Sequence, residues 1–263
     1  MYNYTLAREL VLLGNDVTIY SGTIGGIITE KAQEVGIKVV NQLPEEEFDI
    51  VSLNQKWSEH VLDKYTCPFI YTIHSEFPPE EPIRDERIKK YIAIRPSIAE
   101  KWGISCEIIY NPIDFQRFHP FPKPKEEMTL FVGTIDWLRF KSAAYLLNKG
   151  VNVRFVGEKF AIWANNLKEW YPATWDIEEH LKEATETAGV MLGRTTLEGF
   201  ACGLPSTIFT VNESGAIIKV EKVNPPEDMQ EFNSKLVAQK IFNIYKDLNG
   251  RRTETTSERM FKM

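Results

Sequence analysis

Cysteine is scarce: Cys67, Cys106 and Cys202 are the only three, far apart and without C-x-x-C spacing. Neither a disulfide framework nor a thiolate zinc site is expected. Positive charge is not in excess either. With 31 Lys and Arg against 37 Asp and Glu the formal net charge is −6, which argues against nucleic acid as a partner but leaves room for a local basic pocket. No apolar run approaches the roughly 20 residues of a membrane span, and no charged region followed by an apolar stretch opens the chain. A soluble, cytoplasmic protein is expected. Histidine is also sparse, and His60, His119 and His180 form no metal-ligand spacing with one another. No metal site is expected, and no low-complexity tract or internal repeat interrupts the chain.

What is present is alternation. Residues 3–14 place Leu6, Leu10 and Leu13 on one helical face and end at Gly14, a helix with a glycine stop. N-D-V-T-I-Y-S, V-G-I-K-V-V, F-D-I-V-S-L and P-F-I-Y-T-I then read as strands, and K-K-Y-I-A-I and C-E-I-I-Y repeat the pattern. A second series, M-T-L-F-V-G, V-R-F-V-G-E, A-G-V-M-L-G and S-T-I-F-T-V, lies beyond residue 127. Strands alternating with helices predict parallel sheets, hence an α/β fold. Residues 111–127, proline-rich and charged, read as a linker and hinge between two halves. Near the end, E-F-N-S-K-L-V-A-Q-K-I-F-N-I-Y-K-D-L predicts an amphipathic helix with Leu236, Ile241, Ile244 and Leu248 on one side. Residues from Gly250 are polar and read as loose. The chain starts inside its first helix, so the strand and glycine loop that open a doubly wound domain are expected to be missing.

The richest stretch is G-R-T-T-L-E-G-F-A-C-G-L-P, from Gly193 to Pro205. A glycine turn after an apolar strand, with Gly193 taking angles other residues avoid and Thr195 or Thr196 capping the helix, would aim free backbone N–H groups at a diphosphate. Arg194 adds a planar donor, and Glu198 can accept two hydrogen bonds from a ribose diol. A plain strand-to-helix connection explains the same residues. Gly133 and Gly157 also end strands, and Arg139 and Lys141 lie where the next helix starts, as diphosphate ligands or as a solvated face. In a parallel sheet these strand ends share one edge, where ligands bind. In the first half, His74 follows a strand and can meet a sugar hydroxyl or a developing charge, or serve only its loop. No D-x-D triplet occurs; Glu47 with Asp49, and Asp176 with Glu178, come nearest, in charged surroundings. A metal-bridged diphosphate is therefore not expected. Trp163, Trp170, Tyr171 and Trp175 suit a sugar surface, a membrane interface or simple packing, with packing favoured.

Three passages together resemble the retaining glycosyltransferases of family 4, which have the GT-B fold. L-A-R-E-L-V-L-L-G-N-D-V-T-I-Y-S is similar to their first helix and second strand. I-I-Y-N-P-I-D-F-Q-R-F-H-P, residues 108–120, is similar to their interdomain signature, and G-R-T-T-L-E-G-F-A-C-G-L-P to their donor-site helix. The resemblance implies two Rossmann-like parallel-sheet domains facing across a cleft, the first lacking its opening strand. It sets an acceptor-side domain at 1–118, a donor-binding domain at 119–235, and a C-terminal helix and tail at 236–263 that can pack back on the first domain.

By the same resemblance the expected activity is transfer of a hexosyl unit from a nucleotide-diphosphate sugar, UDP- or GDP-linked, to a hydroxyl acceptor, with retention and without metal or other cofactor. Gly133, Arg139, Lys141, Gly157, Gly193, Arg194, Thr195, Thr196 and Glu198 are the implied donor site, and His74, Arg139 and Lys141 the implied catalytic set. The acceptor stays open among glycan, lipid and protein, with peripheral membrane contact and oligomeric state open as well. The family's first glutamate falls at Val190 and its strand-end arginine at Thr134. These departures support a second reading, a catalytically silent relative that binds nucleotide sugars or a partner.

Overall fold

The computed structural model describes residues 1–54, 56–77, 81–122, 124–136, 138–158 and 169–260, without the side chains of 57 and 251–260. Contacts divide the chain into two compact units. Met1–Pro112 joins the chain from Ser234 onward in unit 1, and Ile113–Asn233 forms unit 2.

Unit 1 opens with helix α1 (Tyr2–Leu12), followed by β1 (Thr18–Tyr20), α2 (Gly26–Glu34), β2 (Lys38–Val40) and β3 (Val51–Leu53). A 3-10 helix (Lys56–Asp63), β4 (Phe69–Ile73), β5 (Ile88–Ala93), α3 (Pro96–Trp102) and β6 (Glu107–Ile108) come next. β3, β4, β5 and β6 form a four-stranded parallel sheet, while β1 and β2 pair in a separate parallel sheet. Side chains of a strand alternate between faces, and β4 feeds two cores in this way. Phe69, Tyr71 and Ile73 enter one with Leu62 and Ile98. Ile70 enters the other, with Leu6 and Leu10 of α1.

That second core is closed by α7 (Ser234–Met260), through Val237, Ala238 and Ile241. A buried carboxylate ties the two helices together: Glu9 Oε1 accepts from Ser234 Oγ at 2.9 Å and from Arg8 Nη2 at 2.5 Å. Two expectations need correction here. Leu13 lies past the end of α1 and is 41% exposed, and Leu236 is 46% exposed. The buried face of α7 runs through Val237 instead, one residue further on, because Val237, Ala238 and Ile241 share the side turned to α1.

Unit 2 is built on β7 (Thr129–Val132), α4 (Phe140–Asn148), β8 (Val153–Val156), β9 (Trp170–Tyr171), α5 (Ile177–Lys182) and β10 (Glu186–Val190). It continues with α6 (Arg194–Ala201), β11 (Ser206–Val211) and β12 (Ile217–Val223). The strand order is β12-β11-β10-β7-β8-β9, parallel throughout except for β12, which runs antiparallel to β11 at one edge. α6 lies very close to β10: a Cβ on Gly199 would stand 2.6 Å from Thr187 Cγ2. Residues 113–118 are not a solvated linker. Ile113, Asp114 and Phe118 are buried, and the Ile113 N–H donates to Phe232 O at 2.7 Å. Arg117 completes the anchor, with Nε on Glu178 Oε1 at 3.1 Å, Nη2 on the Trp175 carbonyl at 2.5 Å, and its guanidinium 4.6 Å from the Trp175 ring centroid.

Candidate functional site

The carboxyl ends of β8, β7 and β10 are neighbours in the sheet of unit 2, so the turns that leave them gather along one edge. Gly133 follows β7 with φ +132° and Gly157 follows β8 with φ +146°. Few side chains tolerate such angles, and packing is a second constraint: a Cβ on Gly157 would lie 2.3 Å from the Gly133 carbonyl oxygen. The two turns are stacked backbone on backbone. The Gly133 N–H donates to Val156 O at 2.9 Å and the Gly157 N–H to Tyr171 O at 3.0 Å. Trp170 braces the second turn, its Nε1–H donating to Gly157 O at 2.9 Å.

Arg139 leans over this edge, its Nε 3.5 Å from where a Gly133 Cβ would be. It is also the cap residue just before α4, and Asp136 holds it twice: Nη1 meets Oδ2 at 2.7 Å, and the backbone N–H donates to Oδ1 at 3.0 Å. Lys141 stands in the first turn of α4 and is exposed. The strand-end turn is thus basic, with one charge partly offset by a carboxylate.

At the end of β10 the geometry differs from expectation. Gly193 has φ −85° and ψ 174°, an extended conformation open to any residue, and it caps α6 with no side-chain hydrogen bond. The unusual angle belongs to Met191, at φ 59° the only non-glycine among the described residues with positive φ. Thr195 and Thr196 lie inside the helix rather than at its cap, and Thr196 is buried. The reason is that Gly193 already satisfies the cap backbone geometry, so the helix begins at Arg194, two or three residues sooner. The first-turn N–H groups of an α-helix have no partner within it, and here they follow directly from the strand end.

Glu198 is buried one turn into α6, with Oε1 accepting from Arg194 Nε at 2.6 Å. An i,i+4 pair on one helix face explains the contact. Burial, with the Glu198 charge second, pushes the Cys202 thiol up to about 12, so Cys202 is an inert part of the packing. Val190 ends β10 half-buried.

In unit 1, His74 leaves the carboxyl end of β4. Its Nε2 meets Asn54 Oδ1 at 3.1 Å, and its ring stands edge-on to Tyr2 with centroids 4.6 Å apart. Burial, then the charges of Arg95 and the chain's amino terminus, lowers its pKa to about 4. The adjoining loop is tightly held. Arg95 Nε donates to Glu76 Oε1 at 2.8 Å, Ser97 Oγ to the same oxygen at 2.6 Å, and Trp102 Nε1 to Ser75 O at 2.8 Å. Burial alone would raise the Glu76 pKa, but these hydrogen bonds outweigh it and the net shift is downward.

Sequence reasoning missed Asn54, Asp136 and the Glu76–Arg95 pair. Asn54 carried a usable signal, since it follows the run F-D-I-V-S-L just as His74 follows P-F-I-Y-T-I. Of the aromatic residues considered for a sugar surface, Trp170 and Trp175 serve packing and bracing, Tyr171 lies under the Arg154 guanidinium at 5.2 Å, and Trp163 falls outside the described residues. No described helix is long and apolar enough to cross a membrane.

No protein-family model matches the chain, and no curated protein sequence matches it. Solved structures do. A glycosyltransferase from Rickettsia africae superposes with a TM-score of 0.64 at 16% identity, covering 94% of each chain. AviGT4, a glycosyltransferase involved in avilamycin A biosynthesis, gives 0.63 at 13% identity, over 95% of this chain and 89% of its own. Anabaena HepE, solved in complex with UDP and glucose, gives 0.60 at 14% identity, over 97% and 95%. The architecture of this chain, with its two α/β units on parallel sheets, is the GT-B fold.

Proposed function

We propose that this chain is a glycosyltransferase that moves a hexosyl group from a UDP- or GDP-linked donor to a hydroxyl acceptor, with retention at the anomeric carbon and without a metal. The observation that carries the reading is the edge of unit 2 where Gly133, Gly157 and Arg139 meet at the ends of adjacent strands, beside the start of α6. Glycine turns let a diphosphate approach the backbone, and the first turn of a helix offers it oriented N–H donors. Arg139, Lys141 and Arg194 offset the charge that develops on the departing diphosphate. Glu198, oriented by its bond to Arg194, takes the ribose diol. His74 is assigned to the sugar.

Two similar chains support the donor class in this reading. HepE was solved with UDP and glucose, and an α-glucosyltransferase with UDP-glucose and DNA has the same fold at a TM-score of 0.52. The test is turnover of UDP- and GDP-hexoses in EDTA, with the anomeric configuration of the product read by NMR. Wild-type turnover that Glu198→Gln and His74→Ala reduce supports the reading, and metal-dependent or inverting turnover contradicts its finer points. A second reading, a nucleotide-sugar-binding relative without turnover, is favoured by Val190 standing where the resemblance places an acid. Tight donor binding with no product from any acceptor would select it.

A further inference from the structure

The geometry points to a positioning role for Asn54: it fixes His74 in the tautomer protonated on Nε2, so that Nδ1 is left as a hydrogen-bond acceptor. Two bonds decide this. Asn54 Nδ2 donates to the Ser52 carbonyl at 3.4 Å, and because a carbonyl only accepts, the NH₂ of the amide must lie on that side. Its Oδ1 therefore faces His74 Nε2, at 3.1 Å. An amide oxygen accepts only, so the hydrogen of that contact belongs to the imidazole. The arrangement comes from the sheet itself, since Asn54 and His74 leave the carboxyl ends of the adjacent parallel strands β3 and β4.

The charges around the ring keep it in that neutral form. Arg95 from the β5–α3 junction and the amino terminus ahead of α1 both disfavour a second proton, and burial contributes most. Tyr2 presents its ring edge-on, and Glu76, the nearby carboxylate, is committed to Arg95 and Ser97. A neutral imidazole with its Nε2–H engaged can receive a hydroxyl hydrogen but cannot place a positive charge against a phosphoryl oxygen. His74 thus selects a hydrogen-bond donor as its ligand. Only the naming of that donor as a sugar hydroxyl rests on the glycosyl-transfer reading.

The test is two-bond ¹H–¹⁵N NMR of the full chain, with the His74 signals assigned by their loss in His74→Gln. The expected spectrum has a protonated Nε2 and an unprotonated Nδ1 at pH 7. Asn54→Asp keeps the acceptor and adds charge, so the tautomer should persist while the His74 midpoint rises by about 1 to 3 pH units. Asn54→Ala, checked for folding by circular dichroism, should lose the tautomer preference. A protonated Nδ1 in the wild type, or an unmoved midpoint in Asn54→Asp, overturns the inference. None of these readouts needs turnover, so they stand apart from any failure of the transferase reading.

Discussion

Gly157 carries φ +146°, and a Cβ there would collide with the Gly133 carbonyl at 2.3 Å. Gly157→Ala is expected to lower stability by about 3 kcal/mol or more, measured by urea denaturation. Gly193→Ala, at φ −85° with its nearest neighbour 3.7 Å from the new Cβ, should change stability by less than about 1 kcal/mol. The contrast shows what single residues disclose. Sequence marked three strand-end glycines alike, because a glycine is written the same way whether its freedom is used or not. Glu198 with Arg194 was legible as a pair of residue types on a helix; that they bind each other became clear only with side-chain positions. His74 adds a pH dependence. Its folded pKa, about 4, lies below the ordinary 6.5, so between those values the unfolded chain takes up a proton that the folded one refuses. Stability should therefore fall as pH drops from about 6.5 to about 4, by up to roughly 3 kcal/mol. His74→Gln should flatten that part of the pH–stability curve. An unchanged curve would mean that His74 is solvated.

At the scale of elements, the packing of α7 on α1 makes a paired prediction. Ile241 is fully buried between them, and Ile241→Ala should cost about 2 to 5 kcal/mol. Leu236→Ala, at a half-exposed position, should stay within about 1 kcal/mol in the same melt. Periodicity found the helix and the covered positions Ile241, Ile244 and Leu248, but took Leu236 in place of Val237, since both are apolar and only the neighbour decides which is covered. Strand β4 was legible because five apolar or β-branched residues in a row suit a strand buried on both faces. Strand β12 was not. Its sequence I-I-K-V-E-K-V is nearly half charged, as befits an edge strand, and the charges masked the strand signal of its Ile and Val residues. Within the stretch 111–127, proline and charge marked the passage between the units but gave no sign that Ile113 and Phe118 are buried, or that Arg117 pairs with Glu178, which sequence distance hides.

For the molecule as a whole, the fold survives at 13 to 16% identity to the solved chains because strand alternation, strand-end glycines and buried apolar runs determine it, and many sequences satisfy those. Function depends on fewer atoms. The proposed donor site lies in unit 2, with its acid at Glu198, its cations at Arg139, Lys141 and Arg194, and its glycine turns at Gly133 and Gly157. The most direct test is calorimetric titration of the wild type and Glu198→Gln with UDP, GDP and their hexose conjugates. The account predicts that one nucleotide series binds the wild type and that Glu198→Gln weakens it by about 10- to 100-fold, the loss of hydrogen bonds to a charged acceptor. Failure of every nucleotide to bind the wild type, or equal binding by Glu198→Gln, would contradict it.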